Sequence, residues 1–303
     1  MNLEVNIGKA IFRNPIVLAS GTFGYGLTYT NVVDKVGALV TKGITVKERI
    51  GNPPPRIWDT KETVINSVGL ENVGLDRFKQ EILPQIKTST PVFVNLAGVT
   101  PDDFRKMLDL LGQDNRVSGF ELNLSCPNVK VGGASLGQSP KKVREVTKLC
   151  RPLTLKPLWV KLTSNFCDIR ETSRAAQDAG ADAVVLINTL NALIVDVKGR
   201  KPFLGAGSGG LSGPAIKPYV LYIVRQVSLL LEIPVIASGG VVSGLDVIEY
   251  LLAGATLVET GSINLVDPES ALRIINEMKV SFEREGVKSP SELTGRLEDR
   301  WPS

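Results

Sequence analysis

The chain has 303 residues, 43% hydrophobic and 22% charged, the make-up of a water-soluble globular protein with a large core. Its 35 basic and 31 acidic residues leave a net charge of +4 with no basic block, which gives nucleic acid no footing. Histidine is absent, so Ser-His and Cys-His nucleophile pairs and the usual zinc sites are excluded, and a base must be Cys, Lys, Asp, Glu or Tyr.

Residues 3–7 and 10–13 flank Gly8-Lys9 and predict a hairpin closing the bottom of the domain. Eight short apolar, β-rich runs follow, at 16–19, 38–41, 92–95, 120–124, 158–162, 183–187, 235–237 and 256–259. Helical patterns lie between them. Near-continuous apolar strands alternating with helices imply a parallel sheet covered on both faces. Eight such units predict an α/β fold, a (β/α)8 TIM barrel, with a doubly wound sheet as the alternative. Thr100-Pro101-Asp102-Asp103 opens one helix with a cap and an N1 proline, and Ser139-Pro140 and Asp267-Pro268 repeat the device. Gly180 and Gly254 end helices ahead of strands six and eight. The connection after strand two is a long loop, residues 42–66, containing Pro53-Pro54-Pro55. With no linker, repeat or low-complexity segment, residues 1–303 read as one domain.

Strand four runs into Asn123-Leu124-Ser125-Cys126-Pro127-Asn128, a thiol among amide side chains at a strand end. Cys126, Cys150 and Cys167 are too far apart for a CxxC and too few for a four-thiolate iron–sulfur cluster. They suggest a reduced, cytoplasmic protein. The N-terminus lacks an apolar h-region and no 18-residue apolar run occurs, so neither export nor a membrane span is expected. Cys150, at a helix end, and Cys167, in a turn, read as structural.

In a barrel the chemistry collects at the C-terminal ends of the strands. Here those ends carry Ser20-Gly21, Lys42-Gly43, Asn95, Asn123, Lys161, Asn188-Thr189, Gly239-Gly240 and Gly261-Ser262. The glycine pairs after strands seven and eight suit a phosphate cradle, where backbone N–H groups approach oxygen closely. Lys42 and Lys161 could stabilise an anion developing in a ring system. Together they describe flavin mononucleotide, FMN, although another phosphorylated ligand fits the same facts. Gly205-Ala206-Gly207-Ser208-Gly209-Gly210 matches GxGxxG, but without the strand before and helix after that a dinucleotide fingerprint requires. It reads as a mobile loop leading to Gly213.

Several stretches resemble class 1 dihydroorotate dehydrogenase, and most its B type. They are Ser20-Gly21-Thr22, Thr41-Lys42-Gly43, Asn66-Ser67-Val68-Gly69-Leu70-Glu71-Asn72, residues 123–128, Asn188-Thr189, residues 209–214 and Gly239-Gly240. The resemblance implies that Ser20, Lys42, Gly43, Asn95, Asn123, Lys161, Ile187, Gly213, Gly239, Gly240, Gly261 and Ser262 hold FMN. It gives the orotate ring to Lys42, Asn66, Ser67, Val68, Gly69, Leu70, Asn123, Asn128, Asn188 and Thr189. Cys126 would be the base, taking a proton from C5 of dihydroorotate while a hydride leaves C6 for the flavin, and Lys161 would balance the charge that builds there. No metal is implied. Class 2 enzymes use serine as base behind a membrane segment. The run Val129-Lys130-Val131-Gly132-Gly133 resembles the B type rather than the fumarate-linked A type. The resemblance then implies NAD as acceptor, reached through a partner subunit carrying FAD and a [2Fe–2S] centre, in a dimer of heterodimers. Two stretches depart from the family pattern: Val235-Ile236-Ala237-Ser238 before the paired glycines, and Glu259-Thr260 before Gly261. Two rivals remain, a flavoenzyme that reduces uracil or thymine and a flavin-free barrel binding a phosphorylated metabolite.

Overall fold

The structure, a computed structural model, describes residues 2–124 and 136–298. A hairpin opens the chain, β1 (Val5–Ile7) against β2 (Ala10–Phe12), turned by Gly8 at φ 57°. The barrel begins with β3 (Ile16–Leu18) and β4 (Ala38–Val40). The long connection after β4 carries a second hairpin, β5 (Ile57–Asp59) and β6 (Val64–Asn66). Four barrel strands follow, β7 (Val92–Leu96), β8 (Gly119–Asn123), β9 (Leu158–Lys161) and β10 (Ala183–Leu186). The next connection holds β11 (Leu190–Ala192), β12 (Val195–Asp196), β13 (Lys201–Pro202) and β14 (Gly209–Ser212). β15 (Val235–Ser238) and β16 (Ala255–Thr260) complete the barrel.

The eight parallel strands close in sequence order, β16 pairing back onto β3. Each coincides with one of the eight apolar runs. The doubly wound alternative is thereby excluded, because an open sheet would leave two edges unpaired. Inward-facing Val17, Ala38, Val40, Phe93, Trp159, Ala183, Val185, Ile236 and Leu257 fill the lower barrel, and Val5, Ile7 and Phe12 of the hairpin plug it from below. Phe93 and Trp159 stack at 3.7 Å between centroids, with Phe12 5.9 Å from Trp159. Outward-facing residues of the same strands pack under the helices.

The helix Pro101–Leu111 starts where Thr100 and Asp103 form a capping box, and the helix Pro140–Cys150 starts at a Ser139 cap. Gly180, at φ 91°, ends the helix Ile169–Asp178 in a Schellman motif: its N–H bonds Gln177 O at 2.9 Å, and Ala181 N–H bonds Ala176 O at 3.1 Å. Gly254 caps the helix Gly244–Ala253 at φ 112°. Asp267-Pro268 does not open a helix. Asp267 Oδ1 takes the N–H of Glu269 at 3.0 Å and its carbonyl takes that of Ser270 at 3.0 Å, a turn that delays the helix to Ser270–Glu285.

Two loop readings need correction. Both long connections contain sheet, and their strands join as β11-β14-β6-β5 over the mouth of the barrel. Gly209 and Gly210 therefore belong to a central strand. A Cβ on Gly210 would lie 1.9 Å from Thr189 Oγ1, one on Gly209 2.6 Å from Asn66 O, and one on Gly205 2.3 Å from Pro53 O. These glycines serve close sheet and loop packing, and the motif runs directly into strand β14 rather than into the helix that would hold a pyrophosphate.

Candidate active site

The roof sheet and the strand ends enclose one cavity of about 1250 Å³. Its floor is built by barrel strands whose inward residues turn from apolar to polar near their C-terminal ends: Phe93 gives way to Asn95, Trp159 to Lys161, and Leu257 to Glu259. The alternation of a strand sets this up, because each polar residue stands two places beyond an apolar one on the same face. Ser20, Lys42, Gly43, Asn95, Asn123, Lys161, Ile187, Gly239, Gly240, Gly261 and Ser262 all line the cavity. So do Asn66, Ser67, Val68, Gly69, Leu70, Asn188 and Thr189. Gly213 is the exception. Its φ of 103° lets the chain pass the backbone of Glu62, where a Cβ would meet the carbonyl at 2.8 Å, so it shapes the roof from behind. Cys126 and Asn128 lie outside the described residues. The ends of that stretch are tied together, Gly137 N–H donating to Leu124 O at 2.7 Å, and Asn123 and Gln138 on either side line the cavity.

Beneath the floor lies a polar network. Lys161 Nζ is 2.7 Å from Glu259 Oε2 and 3.9 Å from Glu121 Oε2, and all three side chains are buried. Asn95 Nδ2 donates to Glu121 Oε1 at 2.5 Å, while Asn95 Oδ1 accepts from Asn123 Nδ2 at 3.4 Å. The same Asn95 oxygen explains Gly43, since a Cβ there would approach it to 2.7 Å. Burial pushes Glu121 up to about 8, against the pull of Lys161 and with a further push from Glu259. Burial lowers Lys161, but the two carboxylates outweigh it and its pKa is raised.

The raised Glu121 has a consequence for stability. Below the ordinary value of 4.5 both folded and unfolded chains carry its proton; between there and about 8 only the folded chain keeps it. This group's contribution is therefore full at low pH and is lost as pH climbs to about 8. Glu121→Gln cannot titrate and is expected to flatten that slope. Urea titrations at pH 5 and pH 8 should show wild type losing on the order of 4 kcal/mol more than the variant.

At the roof, Lys42 Nζ lies 3.4 Å from Glu71 Oε1, and Arg56 holds the other oxygen of the same carboxylate. The Arg56 hydrogen bond, then Lys42, holds Glu71 below the usual carboxylate range. Gly69 and Leu70 sit at φ 80° and 55°, a left-handed pair that bends the strap so that Leu70 O accepts from Asn72 Nδ2 at 2.7 Å. Sequence reasoning assigned no role to Glu71, Glu121, Gln138, Phe166 or Asn191. Glu71 lay inside a quoted motif and Glu121 among apolar strand neighbours; Phe166, which lines the cavity at φ 59°, left no signal. Cys150 is buried, which pushes its thiol up to about 12, and burial also raises the half-buried Cys167, so both suit the structural reading.

A closed (β/α)8 barrel whose polar cavity stands at the C-terminal mouth is the architecture of a TIM-barrel enzyme. The dihydroorotate dehydrogenase family profile matches residues 2–282, and the chain belongs to that family. It is 44% identical over 299 residues to the catalytic subunit of dihydroorotate dehydrogenase B (NAD(+)) from Geotalea uraniireducens, covering 98% of each chain. The protein of that name from Caldicellulosiruptor bescii is 43% identical over 300 residues, covering 98% of this chain and 99% of the relative. A crystal structure of DHODH from Eimeria tenella in complex with ferulenol superposes with a TM-score of 0.81 at 23% identity, covering 97% of this chain and 88% of that one. Among the described residues no helix is long and apolar enough to cross a membrane.

Proposed function

We propose that this chain oxidises dihydroorotate to orotate in pyrimidine synthesis, as the FMN-bearing catalytic subunit of a B-type enzyme. The observation that carries the reading is the single cavity that gathers a buried lysine, strand-end glycines and an amide-rich strap. Its 1250 Å³ exceeds the roughly 300–1,000 Å³ of most small-molecule sites, as a pocket taking cofactor and substrate together must. The residues fit FMN. A Cβ on Gly21 or Gly261 would meet no protein atom within 4 Å, and both line the cavity, so the backbone there is open to a phosphate.

When bound, FMN supplies a two-electron acceptor. Ser20, Lys42, Gly43, Asn95, Asn123, Lys161, Ile187, Gly239, Gly240, Gly261 and Ser262 would hold it, without Gly213. Asn66, Asn123, Asn128 and Asn188 amides both donate and accept, which suits the alternating edge of a pyrimidine dione, and Lys42 would meet the carboxylate of the substrate. Ser67, Val68, Gly69, Leu70 and Thr189 would complete the enclosure. Cys126 takes the C5 proton, at a point of the chain whose flanks, Asn123 and Gln138, line the cavity. Electrons leave through a partner subunit with FAD and [2Fe–2S], since three cysteines in the whole chain cannot ligate such a cluster and the relatives' name carries NAD(+).

Anaerobic mixing of the purified chain with dihydroorotate tests this. Rapid bleaching of a flavin band near 450 nm is expected. A band that persists with dihydroorotate but disappears with dithionite would leave a flavoprotein of another substrate, and a protein that cannot be loaded with FMN would end the reading.

A further inference from the structure

We propose that Glu259 is the resident counter-charge of Lys161 and that, as a positioning residue, it lowers the reduction potential of the cofactor held above them; this rests on the FMN reading. Lys161 belongs to β9 and Glu259 to β16, strands separated by β10 and β15, so the two meet across the barrel interior. Of the triad only Lys161 lines the cavity; Glu259 and Glu121 stand behind it. Glu259 makes the direct contact, at 2.7 Å, whereas Glu121 stands off at 3.9 Å with its other oxygen taken by Asn95. Among the described residues Lys161 is the cation paired with Glu259, and the neighbouring Glu121 carboxyl shares a side-chain hydrogen bond with it.

Uptake of two electrons and one proton adds one negative charge to the site above Lys161. An unpaired lysine would stabilise that charge strongly in a poorly solvated interior. A lysine already neutralised at hydrogen-bond distance stabilises it less, and the carboxylate behind it repels it. Glu121 does not share this role equally at neutral pH, since burial keeps it largely protonated. Once Glu259 is removed, however, Glu121 is placed to ionise and replace it, so both carboxylates must be changed to expose the full effect. A purely structural Glu259, one that only fixes the lysine in place, would leave the potential where it is.

The test is spectroelectrochemical titration of the FMN-loaded wild type, E259Q, E121Q and E121Q/E259Q at pH 7. E121Q alone should stay close to wild type, and E259Q should raise the ratio of reduced to oxidised cofactor at a fixed ambient potential severalfold. The double variant should raise it about tenfold, equal to about 30 mV for a two-electron couple. Potentials of E259Q and the double variant that match wild type, or that fall, overturn the proposal; should the double variant fail to fold, E259Q decides by the same criterion. A wild-type chain that takes up no FMN overturns the parent reading together with this one, whereas bound FMN with an unmoved potential overturns this one alone.

Discussion

Lys161→Met should cost the fold about 3–5 kcal/mol, the usual penalty for breaking a buried ion pair by removing one partner. The loss does not come from the lysine's own packing, which the methionine largely preserves. It comes from what stays behind: Glu259 and Glu121, both buried, with no cation between them. Without the lysine that pulls its pKa down, Glu121 holds its proton to still higher pH in the folded chain. The unfolded chain still releases that proton at the ordinary carboxyl value, so the deficit is smallest in acid and grows as pH rises. Urea unfolding of wild type and variant at pH 5 and pH 8 reads both the size and the trend, and a deficit that shrinks with pH would contradict the argument. The variant should also load FMN poorly, because the cavity floor loses its buried cation and gains nothing to face a negative charge.

The barrel was legible in the sequence for a specific physical reason. Strands buried on both faces must be apolar throughout, and the eight runs stand out against the amphipathic helices between them. The plug was legible too, because Gly8 at a two-residue turn between apolar stretches leaves few alternatives. What escaped was structure made from distant, short and glycine-rich pieces. β14 pairs with β6 through contacts such as Asn66 Nδ2 to Gly210 O, 144 residues apart, and the same glycines that allow the close approach mark the stretch as loop when read locally. The misplaced helix start at Asp267-Pro268 has a similar origin: an aspartate side chain that could cap a helix instead closes a turn one step earlier.

The site divides in the same way. Strand-end residues could be named because a closed barrel brings all eight ends to one face whatever the loops do. Lys161 was legible as a cation facing a ligand, but its pairing with Glu259 was not, since 98 residues and two intervening strands separate them and only closure brings them face to face. Glu259 did leave a trace, as a departure from the family pattern. The structure gives that departure a meaning: it pairs with the lysine from behind the cavity lining. Gly213, carried over with its motif, packs against the backbone of Glu62 and Thr63 beside Ser212, which lines the cavity.

The largest kinetic effect is expected at Cys126. Cys126→Ser should keep FMN and substrate binding while slowing cofactor reduction by dihydroorotate about 10²–10⁴-fold at neutral pH, the range by which a positioned base accelerates proton transfer. The reason is acidity. A free thiol has a pKa of roughly 8.5, so a modest local preference for thiolate makes it a competent base near neutrality, whereas a serine hydroxyl offers almost no alkoxide at any accessible pH. With no histidine anywhere in the chain, the serine variant also lacks the neighbour that most often takes a proton from a hydroxyl. The effect should fall on the reduction step alone, because steps that follow, including electron exit to the partner, do not use the C5 proton. Anaerobic stopped-flow mixing with dihydroorotate isolates that step, and orotate titration of the flavin spectrum checks that the site still binds. A variant that bleaches at the wild-type rate would remove Cys126 from proton abstraction.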